Sequence, residues 1–178
     1  MHQEILDFWF EKLNPNQWWK EDAIVDNLIK EKFLDIHNQA IKGELWSWRN
    51  DPQASLAEII IIDQFSRNIY RGKPKSFLYD GIALVLAQSV IDKNLYQQLS
   101  LVQKSFLYLP YMHSESSKIH EEAVRLYGSL GLKENYEIEL KHKAIIDRFG
   151  RYPHRNKVIG RDSTPDEIIF LQEPGSSF

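Results

Sequence analysis

The segment IIDRFGRYPHRN, Ile145 to Asn156, gathers Arg148, Arg151, His154 and Arg155 into one short stretch of a chain whose formal net charge is −3. Guanidinium carries five N–H donors in a planar fork that fits carboxylate or phosphate oxygens two at a time, so converging arginines would hold a small anion. The same side chains would equally serve the protein itself, by pairing with Asp63, Asp147 or Asp162 and by closing unpaired carbonyls at helix ends. An earlier segment, IIDQFSRNIYR from Ile61 to Arg71, repeats the frame of Ile-Ile-Asp, then Phe, then Arg. In both copies Asp stands four residues before Arg, Asp63 with Arg67 and Asp147 with Arg151, the favourable orientation for an ion pair on a helix.

His113-Ser114-Glu115 is a second constellation. An imidazole titrates near neutrality, so His113 is the candidate general acid/base, with Glu115 or Asp63 fixing its tautomer. Ser114 reads as the N-cap of the next helix, which puts Glu115 in its first turn. Pro110 reads as the stop of the helix before it. His142 shares a stripe with Ile145, Ile146 and Phe149, and serves either a pocket or the core. Metal-ligand spacing such as HExxH is missing, as are GxSxG, the P-loop and GxGxxG, so no metal and no cofactor are expected. Trp9, Trp18, Trp19, Trp46 and Trp48 all fall early. They would pack the first helices together; the alternative is an aromatic wall at Trp46-Ser47-Trp48.

Helices must position these residues. Ile24, Val25, Leu28, Ile29, Phe33, Ile36 and Ala40 recur at three- and four-residue steps, one apolar stripe of a helix. Asp51-Pro52 supplies an N-cap followed by proline at the first helical position, and Thr164-Pro165-Asp166-Glu167 repeats the device with a capping-box Glu. The pattern predicts about eight helices, at roughly 3–13, 21–42, 52–71, 75–92, 95–109, 114–128, 133–149 and 164–171. The stretch from Phe77 to Ile91 is apolar on most faces and is expected to be the most buried helix. No strand–helix alternation appears, so the fold class is all-α, built from antiparallel helix pairs in one domain over residues 1–178.

Four motifs carry a resemblance: DQF-S-RN-IYRG at Asp63 to Gly72, LPYMHSE at Leu109 to Glu115, RFGRYPHRN at Arg148 to Asn156, and GRDSTPDE at Gly160 to Glu167. With them the chain resembles a bacterial family known only as domain-of-unknown-function family 924, placed among tetratricopeptide-like helical folds. The resemblance implies an α-solenoid-like stack of helix pairs and a group of polar motif residues, and it brings no established activity. Ser66 departs from the pattern, where the family usually has proline.

The chain has 178 residues, no cysteine, and ordinary fractions of apolar (43%) and charged (26%) residues, which together exclude a disordered or disulfide-built protein. The N-terminus lacks a signal-peptide pattern, so a cytoplasmic protein without a membrane span is expected. From His142 to Arg161 six cations meet one acid, which leaves the rest of the chain acidic. A long phosphate backbone rewards spread cations, so nucleic acid is not an expected partner; a small anionic molecule or an acidic peptide is. Its pocket would use Asp63, Arg67, Asn68, His142, Arg148, Arg151, Arg155, Asn156 and Arg161, with His113 and Glu115 as the catalytic pair if the protein is an enzyme. An interaction scaffold with structural arginines is the third reading.

Overall fold

The computed structural model describes residues 1–177, and among these every regular element is helical. The chain opens with α1 (His2–Leu6), which runs on through a wider π-helical turn at Asp7–Lys12. Asp22 accepts from the N–H groups of Ile24 and Val25 and so starts α2 (Ala23–Ile41). The Asp51-Pro52 signal works as expected, with Asp51 Oδ1 2.7 Å from the Ala54 N–H at the head of α3 (Pro52–Ile60). That helix continues through a π-helical turn at Ile61–Phe65 into α4 (Ser66–Ile69). Then come α5 (Asp80–Asp92) and α6 (Leu101–Met112), the latter opened by a Ser100–Gln103 capping box. Two long helices follow, α7 (Ser117–Leu130) and α8 (Lys133–Phe149). Gly131 and Gly150 end them at φ 79° and 68°, a left-handed geometry that glycine adopts without steric cost. Short helices α9 (Asn156–Ile159) and α10 (Pro165–Phe170) close the chain, α10 with the expected Thr164–Glu167 capping box.

The core forms around the run from α3 to α4. Leu56, Ala57, Ile59, Ile60, Ile61, Ile62 and Phe65 are all fully buried. This corrects the expectation that the Phe77–Ile91 stretch is the most buried helix. Its regular part starts only at Asp80, and Ile82 and Val85 on its outer face are 40% and 62% exposed. The physical reason is coverage: α3 meets α1, α5 and α6, whereas α5 is covered on its inner face by α3 and α6. Consecutive helices joined by short links pack together, α6 on α7 and α7 on α8. A smaller apolar cluster of Ile145, Ile146, Phe149, Tyr152 and Phe170 seats the C-terminal segment.

Trp9 is buried, and Trp18 donates its indole N–H to the Trp9 carbonyl at 2.8 Å and packs edge-on to Phe106. Trp48 is half-buried against the core, whereas Trp46 is 70% exposed. No helix among the described residues is long and apolar enough to cross a membrane.

Two helix boundaries differ from expectation, and both matter for the site. Pro110 does not stop α6, which runs to Met112; near a helix end the missing N–H removes only the bond that the Phe106 carbonyl would accept. Ser114 is not an N-cap, because α7 starts at Ser117 after Ser116. Glu115 therefore lies in the link, outside any helix, and is free to reach another element.

Candidate functional site

The link after α6 is held by its carbonyls. Helix ends leave such groups unpaired, and here three successive ones are met by side chains, two from the segment after α8 and one from α7. The Tyr152 hydroxyl donates to Met112 O at 2.5 Å, Arg155 Nη2 to His113 O at 3.1 Å, and His120 Nε2 to Ser114 O at 2.9 Å. His120 is itself buried and bonded through Nδ1 to Glu139 Oε1 at 2.7 Å. The link cannot turn freely, and His113 is aimed inward.

Its Nδ1 lies 2.7 Å from Asp63 Oδ1. Asp63 sits on the π-helical turn that interrupts the central run and is 1% exposed. The Gln64 side-chain amide donates to its Oδ2 at 2.5 Å, and Arg67 Nη1 lies 3.2 Å from its Oδ1. Burial pushes the Asp63 carboxyl up, but Arg67 and His113 together outweigh that and hold it well below the usual carboxylate range. Burial, then Arg67, push the His113 imidazole down, against the pull of Asp63. An ionised carboxylate only accepts, so Nδ1 carries the proton and the neutral ring presents a bare Nε2. Nε2 has no protein partner and is not sealed off, in a side chain 16% exposed.

Asp80, at the start of α5, joins two arginines. Arg67 meets it through two parallel bonds of 3.0 Å, and Arg155 Nη1 donates to its Oδ2 at 3.1 Å. The Arg155 guanidinium packs against two rings, 4.6 Å from the Phe77 centroid and 4.7 Å from that of Tyr152. Its Nε is buried and makes no hydrogen bond. Burial pushes the Arg155 pKa down more than Asp80 raises it. Arg49, Arg67, Arg71 and Arg151, each against a carboxylate, move up instead. Among the arginines paired with a carboxylate, Arg155 is the one whose pKa is moved down.

The other expected residues divide into groups. Arg161 clasps Glu115 through bonds of 2.6 and 2.8 Å and donates through Nε to Asn156 Oδ1. Glu115 also accepts the Tyr152 N–H, so it belongs to this network and does not serve His113. Asn156 donates to Ser163 Oγ and Glu167 Oε2, and Glu167 is clasped by Arg151 at 2.6 and 2.8 Å. Arg151 pulls the Glu167 carboxyl down to about 2. The expected Asp147–Arg151 pair is not made: Lys143 takes Asp147 at 2.6 Å, and the buried Glu167 outcompetes an exposed acid for Arg151. The two polar frames thus differ in their pairing. Arg148 lies over the Phe149 and Phe170 rings. Asn68 donates to Asp26 on α2, beside Arg71, away from the cluster. His142 donates through Nδ1 to Ile138 O, packs by Tyr152, and is pushed down to about 3 by burial.

Asp63, Arg67, His113 and Arg155 therefore come together, around an Asp80 that sequence reasoning missed. Nothing marks Asp80 in sequence beyond an acid in a first helical turn. Tyr152 and His120 were also missed, although Tyr152 lies inside the RFGRYPHRN motif.

Beside Arg155 opens a cleft of about 590 Å³, whose polar lining is Asp80, Ser114, Glu115 and Arg155 and whose other lining is apolar, including Phe77, Leu84, Pro110 and Ile159. Among the described residues no group of three or more His, Asp or Glu side chains is placed to hold a metal ion.

Residues 5–175 match the sequence profile of a family described as a bacterial protein of unknown function, DUF924. A solved structure of a protein of unknown function from Agrobacterium tumefaciens is 34% identical over 96% of each chain, with a TM-score of 0.91. No curated protein matches the chain.

Proposed function

The chain belongs to this bacterial family of unknown function, and we propose that it is a helical binding module whose cleft takes a small organic anion at Arg155. One observation carries the reading: Arg155 is 8% exposed, lines the cleft, and donates only to Asp80 and the His113 carbonyl. Guanidinium has five donors, so an anion at this edge would complete its pairing and offset the charge that burial disfavours. The cation is single. Arg148, Arg151 and Arg161 are engaged elsewhere, which makes a multi-arginine phosphate fork the weaker form of the idea. A thermal melt with small carboxylates and inorganic phosphate tests the reading: a ligand at a hundred times its Kd stabilises by about 2.7 kcal/mol. If no anion shifts the melt, the reading fails and a scaffold with structural arginines replaces it.

A second reading rests on the Asp63–His113 contact. A bare Nε2 backed by a buried carboxylate is the arrangement of a general base. His113→Gln should then abolish turnover of a bound substrate while leaving its affinity in place; equal turnover in the variant contradicts it. The finer architecture, a tetratricopeptide-like stack, draws support from the consecutive packing of α6, α7 and α8. A cysteine-free sequence supports a reducing, cytoplasmic setting.

A further inference from the structure

We propose that the ligand of this cleft is a monocarboxylate with an apolar body, an aliphatic or arylalkyl acid, rather than a phosphate or a dicarboxylate. The proposal rests on the Arg155 reading above and names the ligand class of that site.

Three features point to it. The Phe77 and Tyr152 rings pack at 4.6 and 4.7 Å from the Arg155 guanidinium carbon, and because guanidinium N–H groups all lie in its plane, an anion hydrogen-bonds to it at its edge. A planar carboxylate fits that approach. Charge sets the second limit. The same cleft is lined by Asp80 and Glu115, Asp80 already shared between Arg67 and Arg155 and Glu115 held by Arg161. A singly charged group answers the single cation of the cleft lining, Arg155, whereas a dianion brings its extra charge up against two acids. The third feature is the rest of the lining. Phe77, Leu78, Leu84, Pro110 and Ile159 offer no charge and no side-chain donor to a second polar group. At about 590 Å³ the space lies within the range of small-molecule sites, roughly 300–1,000 Å³. Leu78, 64% exposed, is an apolar surface that such a body would cover.

Titration calorimetry with acetate, butanoate, hexanoate, succinate and inorganic phosphate tests this. Affinity should rise from acetate to hexanoate, by up to roughly fourfold per methylene if each is fully buried. Succinate and phosphate should bind more weakly than butanoate. Leu78→Ser, a change at an exposed position, should weaken hexanoate more than acetate. A flat series, or succinate or phosphate binding more tightly than hexanoate, overturns the monocarboxylate class and leaves the Arg155 site standing. Binding of none of the five overturns both.

Discussion

A buried carboxylate is stable as an anion only when its charge is answered, and Asp63 is answered by Arg67, His113 and Gln64. Asp63→Asn removes the charge and leaves Arg67 to Asp80 alone. The expected cost is about 3 kcal/mol, from the penalty of breaking a buried pair, and a urea denaturation midpoint measures it. The same contact fixes the His113 tautomer. In ¹⁵N spectra at neutral pH, the wild-type ring should carry its proton on Nδ1; a proton on Nε2 would contradict the geometry. His37 contributes to the pH dependence, alongside the buried His142 and His154, which burial also holds down. It is buried, bonded through Nε2 to Ser66 Oγ at 2.8 Å, and held down to about 4 by burial and then by Lys75. The folded state keeps it neutral while the unfolded chain protonates near pH 6.5, so below that pH the unfolded state binds more protons. Its contribution is complete above pH 6.5 and is lost as pH falls toward 4. Denaturation at pH 7 and pH 5 should show that loss, and His37→Gln should reduce it; an unchanged slope would exclude His37 as a contributor.

At the scale of elements, α10 is tied down by Arg151, which joins the turn after α8 to Glu167 and to the Asp162 carbonyl. Arg151→Ala should speed amide exchange over Pro165–Phe170 while leaving the Ile61–Phe65 turn protected; equal exchange in both proteins would show that the clasp is not what holds α10. Two helix starts were legible from local signals, although the equally local Ser114 signal misplaced the start of α7. Asp51-Pro52 and the Thr164–Glu167 box work as their residue types require, because both partners lie within four residues. Asp63–Arg67 was legible for the same reason. The identical spacing of Asp147 and Arg151 misled, since spacing cannot reveal the competitors Lys143 and Glu167. The end of α6 was illegible for a related reason. Tyr152 and Arg155 hold its link from 40 and 42 positions along the chain, and their contacts exist only once the helices are packed. Asp80 has no sequence mark at all, so the centre of the arginine cluster was the part most hidden.

Over the whole molecule, the cation-rich C-terminal segment is turned back on the protein. Lys143 meets Asp147, Arg151 meets Glu167, Arg155 meets Asp80, and Arg161 meets Glu115. The last two join the chain after α8 to α5 and to the link after α6, and they leave Arg155 beside the cleft with donors to spare. The central claim, that this one guanidinium receives an organic anion, is tested most directly on its own Nε–H group. Arginine Nε–Hε correlation spectra should be recorded while hexanoate is titrated into the wild-type protein, with Arg155→Lys identifying the resonance. The account predicts a saturable shift of the Arg155 signal, with those of Arg151 and Arg161 staying in place. A shift confined to Arg151 or Arg161, or no shift in any of the three, would contradict it.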